Sequence, residues 1–459
     1  PSSNGVLCGL YLAKSSIPNA GLGIFSARDI PEGSQVGNPD ILLPIYDQKD
    51  QGMTGSFSSH LWAGGPYGMG YESVNTEALG PGLVCSVNTH QERNTAFKRV
   101  DYDSNGLHRS KNPGVGAFTM YHNVRMEATR PIWAGMELFL EYSISIENDT
   151  VIGDNYYDEE MRQKYLDRAE RVSSGFADIM NEQSSADSQH ALEKAWALIR
   201  DEIVVEPLRE YLPESMSKLV DHNPEEARLQ SLSHSLEWLQ ANGQCMDNLY
   251  AAPSTIEEAG RGAYATRFLA KGTVIAPAPL QPVYNRDELI IVYKAVEYEQ
   301  PELLPRSLPK NQLLLNYCFG YKQSSLLLCP YGANVGLINH NSKAPNARIV
   351  WSSNKNFQKS WLSKTVEELK ETGLITGLFF DVVATRDIQA GEEVFIDYGQ
   401  EWQDAWEDHV REWTPPNDSL DYVLPHDFNT TQDVIKTKEE QIIDPYPEYL
   451  KTACFFDHF

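Results

Sequence analysis

Residues 392–399 read Glu-Glu-Val-Phe-Ile-Asp-Tyr-Gly, an alternating segment that ends with a tyrosine beside a glycine. Alternation of this kind is typical of a β-strand with one buried face. Two other landmarks precede this strand in the C-terminal half: the turn Gly260-Arg261-Gly262 and the polar run Asn339-His340-Asn341. The three landmarks predict a domain of short strands and turns, with polar side chains placed at strand ends.

The N-terminal half has similar landmarks in the same order. They are Gly21-Leu22-Gly23, then Asn88-Thr89-His90 with Asn94, then Glu137-Leu138-Phe139-Leu140-Glu141-Tyr142. Equivalent residues lie 239 positions apart in the turn, 251 in the polar run and 256 at the final tyrosine. These nearly constant offsets predict a duplicated domain.

The composition is that of an ordinary globular chain. Of its 459 residues, 41% are hydrophobic and 22% are charged, and the length accommodates two or three domain cores. The sequence contains no apolar run of the roughly eighteen residues that a membrane-spanning helix needs. No positively charged start leads into an apolar stretch. We therefore expect no membrane span and see no signal peptide pattern.

The chain is strongly acidic, with 38 Lys and Arg against 64 Asp and Glu, for a net charge of −26. Nucleic-acid binding relies on Lys and Arg that neutralise phosphates, so direct binding to DNA or RNA is not expected. A basic protein or peptide would instead be attracted to this surface. The charge is explained equally well by a contribution to solubility alone.

Six cysteines stand apart, at Cys8, Cys85, Cys245, Cys318, Cys329 and Cys454. No pair has the spacing of a zinc knuckle, so no metal site is expected. Six cysteines in so long a chain do not indicate a disulfide framework, although a single bridge remains open. Three N-x-Ser/Thr sequons begin at Asn148, Asn417 and Asn429. They leave the secretory pathway open beside the favoured nuclear or cytoplasmic location.

The hydrophobic periods divide the chain into four regions. Short strands and turns occupy residues 5–146 and 248–406, helical periods occupy 154–243, and an acidic flank occupies 407–459. The predicted fold class is α+β, mostly short-stranded β, with two similar domains joined by a helical segment. The clearest predicted strands are Leu42–Tyr46, Ile290–Tyr293, Ser325–Leu328 and Phe379–Val383.

Three helices are predicted in the helical segment. Apolar residues recur at helical spacing from Tyr157 to Val172 and from Leu192 to Ile203. A third helix is predicted from the capping residue Asn223 to Gly243. In the C-terminal half, residues 366–373 predict one short helix, and the region of Trp402, Trp406 and Trp413 is mixed.

Each landmark has more than one explanation. The glycine turn fits a dinucleotide fingerprint, but no buried strand precedes it and no helix follows, which excludes a Rossmann site. A plain structural turn explains it, as does close approach of the backbone to a ligand. Asn339 and His340 suit a purine edge and a charged amino-acid group, or a capped polar turn. Tyr398 can orient an amine, or can be a core residue with its hydroxyl bonded.

In order, the landmarks resemble one family, the SET-domain protein lysine methyltransferases. That family has a G-x-G turn, an N-H-x-x-x-P-N-like stretch and a terminal acidic-x-F-x-D-Y-G strand. The matching residues here are Gly260, Gly262, Asn339, His340, Pro345, Asn346, Glu393, Phe395, Asp397, Tyr398 and Gly399. The resemblance covers residues 254–406. It implies an enzyme that uses S-adenosylmethionine to methylate lysine side chains of a basic protein such as a histone.

The resemblance also implies roles for individual residues. Tyr398 would orient the reacting groups, and Tyr317 would line the lysine channel unless it is simply a core aromatic. The cofactor would be bound by Gly260, Arg261, Gly262, Asn339 and His340. The substrate channel would include Phe395, Trp402 and Trp406. Many relatives have zinc-bound cysteines beside that channel, and this chain lacks them.

The N-terminal half resembles the family less closely. Thr89 stands in place of the histidine, no proline precedes Asn94, and Ser143 replaces the final glycine. Its candidate site residues are Gly23, Asn88 and Tyr142. We expect this copy to be a degenerate structural partner rather than a second active site. The C-terminal copy departs too, because Asn341 stands where the family has serine and one additional residue separates its two asparagines.

Two alternatives to a lysine methyltransferase of the nucleus or cytoplasm remain open. One is a catalytically inactive SET-fold module that binds basic peptides on its acidic face. Such a module need not bind the cofactor, whereas an enzyme must. The other is a methyltransferase that acts on a basic protein in the secretory pathway.

Overall fold

The structure is a computed structural model, which describes residues 8–45, 61–63, 77–90, 92–98, 107–119, 121–140, 159–182, 186–204, 206–213, 215–219, 223–291, 311–321, 326–355, 357, 359–371, 377–417, 419–421, 424 and 438–445. It combines helices with mostly short strands, which confirms the predicted α+β class. Among the helices in these ranges, none has both the length and the apolar character needed to cross a bilayer.

Strands β1 to β9 lie in the N-terminal half. They are β1 Leu10–Lys14, β2 Leu22–Ser26, β3 Gln35–Ile45, β4 Leu61–Ala63, β5 Glu77–Leu79, β6 Asn88–Thr89, β7 Thr95–Lys98, β8 Tyr121–Ala128 and β9 Phe139–Leu140. A five-stranded antiparallel sheet has the order β4-β5-β3-β8-β7, and β6 pairs with β9 in parallel.

Strands β10 to β19 lie in the C-terminal half. They are β10 Gln244–Cys245, β11 Leu249–Pro253, β12 Arg261–Ala265, β13 Val274–Val283, β14 Phe319–Gly320, β15 Leu327–Pro330, β16 Asn339–His340, β17 Ala347–Trp351, β18 Phe379–Ala384 and β19 Phe395–Ile396. The antiparallel sheet here has the order β14-β15-β13-β18-β17, and β16 pairs with β19 in parallel. The two halves therefore build corresponding sheets in the same order.

Most of the helices lie between the two halves. They are α1 Glu159–Glu182, α2 Ala186–Leu198, α3 Glu206–Arg209, α4 Pro224–Ser231, α5 Leu236–Asn242, α6 Val366–Glu371, α7 Gln400–Glu412 and α8 Lys438–Ile443. A π-helical turn, Ile199–Ile203, extends α2. Short 3-10 helices include Glu257–Ala259 and Leu313–Tyr317.

The two halves contribute to the same hydrophobic cluster. Ile41 and Leu43 of β3 belong to the same buried cluster as Leu280 and Leu328 of the C-terminal sheet. Strand β10 also pairs with β1, so that the sheet β10-β1-β2 contains residues of both halves. Because burial of apolar surface is the dominant stabilising contribution, neither half is expected to be fully stable without the other.

Two cysteine pairs lie at bonding geometry, which corrects the expectation of at most one bridge. Cys8 is joined to Cys245, with Cα atoms 5.7 Å apart, and Cys318 to Cys329, with Cα atoms 4.2 Å apart. The first bridge lies beside the pairing of β1 with β10 and joins the start of each half. Its partners are 237 residues apart, so spacing in the sequence gave no indication of the pairing.

The single helix predicted from Asn223 to Gly243 is wrong, because α4 and α5 are separate. Asn223 does cap α4, accepting hydrogen bonds from two backbone N–H groups of its first turn. The break occurs where Ser233 forms a bridge with Met136 of the N-terminal half. Ser235 then begins α5 as a new capping residue. A tertiary backbone contact thus overrides a continuous apolar pattern.

Other predicted elements differ in detail. Residues around Trp402 and Trp406 form the helix α7 rather than a mixed region. Phe379–Val383 and the short helix near residue 366 are confirmed. Ile290 makes an isolated bridge with Asn311 rather than beginning a described strand.

Asp40 links the two halves, and its buried carboxyl group is expected to make the stability of the protein depend on pH. It is 5% exposed and accepts hydrogen bonds from the backbone N–H groups of Asn334 and Ile41. Burial raises its pKa to about 7. Because this pKa is above the unfolded value, the stabilisation from Asp40 is full below about pH 4 and is lost as pH rises through 7.

We expect the free energy of unfolding of the native protein to fall by about 2–3 kcal/mol between pH 5 and pH 8, relative to Asp40→Asn. Urea unfolding of both proteins at the two pH values measures this difference. Asp178→Asn, at an exposed position of α1, is the control and should behave like the native protein. An identical pH dependence for Asp40→Asn and the native protein would contradict the prediction.

Candidate active site

The parallel pair β16–β19 brings the middle and last landmarks together. Asn339 lies opposite Phe395, and His340 lies opposite Ile396. The side chain of Asn346 fixes this arrangement, because its Nδ2 donates to the carbonyl of Glu393 at 2.7 Å and its Oδ1 accepts from the N–H of Phe395 at 2.8 Å. A short parallel contact therefore places the two polar strand ends side by side.

The Glu393 carboxylate attaches the glycine turn to these strands. It accepts hydrogen bonds from Ser254 Oγ at 2.7 Å, from the Thr255 N–H at 2.7 Å and from Asn339 Nδ2 at 3.2 Å. Gly262 packs directly on it, and a Cβ at this position would collide with the carboxylate. Glu393 matches the acidic position of the family pattern, but its role in holding the turn is visible only in the structure. Glycine at position 262 is thus required by a buried carboxylate, which is 4% exposed in total.

The side chain of Asn339 contacts both of the other landmarks of the C-terminal half. Its Nδ2 donates to the backbone carbonyl of Arg261 at 2.9 Å as well as to Glu393. The side-chain amide is therefore engaged within the protein, and binding of a ligand by Asn339 would use its remaining groups. Its role towards a cofactor stays a prediction.

Tyr398 follows β19 and turns its hydroxyl back into the domain. The hydroxyl donates to the carbonyl of Ile338 at 2.6 Å, and the backbone N–H of Tyr398 donates to His340 Nδ1 at 2.9 Å. The side chain is 36% exposed, but burial of the hydroxyl raises the pKa of Tyr398 well above its usual range. The residue is thus partly exposed while its hydroxyl remains a protonated phenol at neutral pH.

Tyr317 approaches the same place from the 3-10 helix Leu313–Tyr317. Its hydroxyl accepts a hydrogen bond from the backbone N–H of Thr119 at 2.8 Å. Burial raises its pKa well above the usual range, and Tyr398 raises it further. Two buried phenols, one of which raises the pKa of the other, could form hydrogen bonds with a polar group of a substrate.

Aromatic rings extend from this point along α7. The ring of Trp402 lies 4.8 Å from His340 and 4.9 Å from Tyr398, and it stacks on Trp406 at 5.9 Å. Trp402 is 40% exposed. Phe395, the third residue predicted to line the channel, is half-buried in β19. Of the three predicted channel residues, Trp402 therefore lies next to Tyr398, and Trp406 stacks on Trp402.

A family model for the SET domain matches residues 260–399. Residues 260–399 are a SET domain. The match begins at the first glycine of the turn and ends directly after Tyr398, so it includes all three landmarks of the C-terminal half. Members of this family are typically lysine methyltransferases.

A solved structure of a Plasmodium falciparum protein, described as a candidate histone methyltransferase, is similar to part of the chain. The sequences are 21% identical, the likeness covers 34% of this chain and 99% of that chain, and the TM-score is 0.21. None of the curated proteins matches the sequence.

A segment of the N-terminal half lies against the SET domain. We name residues 107–119 the covering segment. Leu107 and Phe118 lie 3.0 and 3.1 Å from the position that a Cβ of Gly260 would occupy, which is closer than ordinary van der Waals contact. Besides the contact with Tyr317, the carbonyls of the segment accept from Asn316 at 2.8 Å and from His409 of α7 at 2.9 Å.

The covering segment therefore touches three elements that carry the candidate site: the glycine turn, the 3-10 helix of Tyr317 and the helix α7. No motif in the sequence indicated this contact. Its hydrogen bonds with Tyr317 and Asn316 join residues almost 200 positions apart, and the covering segment contributes a backbone group to each of them.

The N-terminal half contains the same hydrogen-bond network. Glu137, which is fully buried, accepts from Ser15 Oγ at 2.8 Å, from the N–H of Ser16 at 2.7 Å and from Asn88 Nδ2 at 2.9 Å. Gly23 packs against this carboxylate as Gly262 does against Glu393. Tyr142 lies outside the described residues. The network is thus common to both halves and does not by itself distinguish a working site.

The helical segment covers the polar run of the N-terminal half. The guanidinium of Arg228 in α4 is 3% exposed and lies 2.7 Å from His90 Nε2. Burial, followed by the Arg228 charge, lowers the pKa of His90 to about 3. The equivalent position in the SET domain, Asn341, is half-exposed and accepts a hydrogen bond from the backbone N–H of Lys343 at 3.1 Å.

Proposed function

We propose that the SET domain transfers methyl groups from S-adenosylmethionine to lysine side chains of a basic protein such as a histone. The observation that carries the proposal is the gathering of Tyr398, Asn339 and the Gly260–Gly262 turn, with the hydroxyl of Tyr317 nearby. These are the positions that the family resemblance assigns to the reaction. Residues scattered over the fold would have opposed the proposal.

The chemistry of the residues suits this cofactor. Partly exposed aromatic faces, such as those of Trp402 and Tyr398, favour a planar adenine and a sulfonium cation, because aromatic rings stack and attract cations. The backbone of the glycine turn permits close approach of the cofactor. His340 fixes the position of Tyr398 by accepting a hydrogen bond from its backbone N–H. When bound, the cofactor supplies an electrophilic methyl group.

The tyrosines would position the lysine amine rather than deprotonate it. A lysine ammonium has a pKa of about 10.4 in water and must lose a proton before it attacks. Enclosure beside two protonated phenols favours the neutral amine, because burial disfavours charge. The Tyr398 hydroxyl donates a hydrogen bond to the carbonyl of Ile338, which leaves its oxygen lone pairs to accept from the amine. Alignment of the reacting atoms would supply most of the catalysis.

The N-terminal half would serve as a SET-like structural partner. It shares the sheet order and the glutamate network of the SET domain, but Arg228 of the helical segment occupies its polar run. Its covering segment contributes to the wall of the other half's site. We therefore assign the reaction to the C-terminal half alone.

Incubation of the full chain with labelled S-adenosylmethionine and a panel of basic proteins tests the proposal. Mass spectrometry of the products should place the label on a lysine side chain. The alternative, an inactive module that holds basic peptides on the acidic surface, predicts peptide binding without label transfer. Cofactor titration separates the two, because the inactive module need not bind S-adenosylmethionine.

A secretory methyltransferase is a second candidate that the two disulfides favour, because disulfides persist in oxidising compartments. Microscopy of the tagged full-length protein tests it. A nuclear or cytoplasmic signal alone would rule it out.

Asn339→Ala is expected to weaken binding of S-adenosylmethionine by about tenfold in calorimetry, because loss of a half-buried hydrogen-bonding side chain costs roughly 1–1.5 kcal/mol. The change would release the glycine turn from β16. Asn88→Ala removes the same network contact in the other half and is the matched control, for which we expect little change. A larger loss for Asn88→Ala would assign the cofactor site to the N-terminal half.

A further inference from the structure

A polar cleft of about 640 Å³ lies at the junction of the two halves. One side is formed by β3 and β8 of the N-terminal half, and the other by β11 and β12 of the SET-domain half. The side chain of Asn38 spans the junction, donating to the carbonyl of Leu249 at 2.8 Å. Asn339, His340 and Tyr398 do not line this cleft, and Arg261 is the one described residue of the candidate site that does.

The lining of the cleft is basic, although the chain is acidic. Arg125 and Arg261 line it, and the remaining lining residues, all in the described part of the chain, include no aspartate or glutamate. The whole chain has a net charge of −26. Two guanidinium groups among the lining residues favour an anionic ligand over a cationic one, because positive charge in a partly enclosed site attracts negative charge.

His122 gives an independent indication of a ligand. It lines the cleft and is 3% exposed, and neither of its ring nitrogens has a hydrogen-bond partner among the described residues. Buried polar groups in proteins are nearly always bonded, and leaving one unsatisfied costs roughly 1–3 kcal/mol. Burial, followed by the charge of Arg261, lowers its pKa to about 3, so the ring is a neutral imidazole with one N–H donor.

We propose that this cleft binds a small oxyanion, a carboxylate or phosphate group, through Arg125, Arg261 and the imidazole N–H of His122. Guanidinium groups match the planar oxygens of such anions in paired hydrogen bonds. The proposal goes beyond methyl transfer and does not depend on it. Arg261 also belongs to the glycine turn, and its carbonyl accepts from Asn339. An anion held here would therefore contact a residue of the candidate active site from outside that site.

Calorimetric titration of the full chain with inorganic phosphate and, separately, with acetate tests the proposal, at constant ionic strength set by chloride. We expect saturable binding of at least one of them, and the preferred probe identifies the chemical class. Arg125→Gln should weaken this binding at least tenfold. Lys98→Gln is the matched control, because Lys98 pairs with Arg125 in the β7–β8 register, is 51% exposed and does not line the cleft.

A second measurement uses the native protein and does not depend on the folding of a variant. The ring signals of His122 in NMR spectra should shift along the same titration curve as the calorimetric binding. Absence of saturable binding for both anions, or equal binding by Arg125→Gln and the native protein, would overturn the proposal. So would loss of phosphate or acetate binding on saturation with S-adenosylmethionine, because the cleft would then be part of the cofactor pocket. Each of these readouts is independent of methyl transfer.

Discussion

Tyr398→Phe is expected to lower the rate of methyl transfer by about 100- to 1000-fold, the usual effect of removing one well-placed hydrogen-bonding group from an active site. The hydroxyl is enclosed, donates to the carbonyl of Ile338 and neighbours the hydroxyl of Tyr317. Phenylalanine keeps the ring contacts with His340 and Trp402. Only the oxygen that would orient the amine is lost. Single-turnover rates with labelled cofactor measure the effect.

Tyr284→Phe is the matched control for this prediction. Tyr284 also donates its hydroxyl to a backbone carbonyl, that of Leu369, but it lies outside the candidate site. Both variants should unfold within about 1 kcal/mol of the native protein, since each loses one hydrogen bond. Full activity of Tyr398→Phe would remove this tyrosine from the mechanism.

Glu393→Gln is expected to lower the free energy of unfolding by about 3–4 kcal/mol, because several donors that converge on a buried carboxylate would lose an acceptor. The carboxylate accepts from five donors, on Ser254, Thr255, Tyr264 and Asn339. The amide would also direct an N–H group at some of them. Because the same carboxylate holds the glycine turn against β16, methyl transfer should fall by about 100-fold. Urea unfolding measures the loss of stability, and activity assays measure the loss of methyl transfer.

The N-terminal half supplies a matched variant. Glu137→Gln changes an equivalent carboxylate that accepts from four donors, so a comparable loss of stability is expected. Its effect on activity should be small, within about threefold, as long as the protein remains folded. Equal losses of activity in the two variants would mean that the network acts through overall stability and not through the site of one half.

Much of the site could be predicted from the sequence because its parts are local. A glycine turn, a polar strand end and a tyrosine next to a glycine each have short-range signatures, and their order carries the family resemblance. The structure adds the reason that they meet, which is the parallel pairing of β16 with β19. The short strands around them follow from alternation and from frequent Gly and Pro residues.

The missed features depend on contacts between distant parts of the chain. The break between α4 and α5 results from a bridge between Ser233 and Met136, which the apolar period of the helices does not reveal. Disulfide partners 237 residues apart cannot be paired from spacing. The burial of Arg228 against His90 is also invisible in a single sequence, because charged residues are expected at the surface.

The covering segment restricts how the two halves can diverge. Residues 107–119 are encoded in one half, yet the glycine turn, Tyr317 and α7 of the other half lie against them. A substitution at Phe118 that suits its own half would alter the space next to Gly260 in its neighbour. Such a junction makes sequence change in each half conditional on the sequence of the other half. The half with the less complete motifs is therefore constrained by its packing against the half that contains the SET domain.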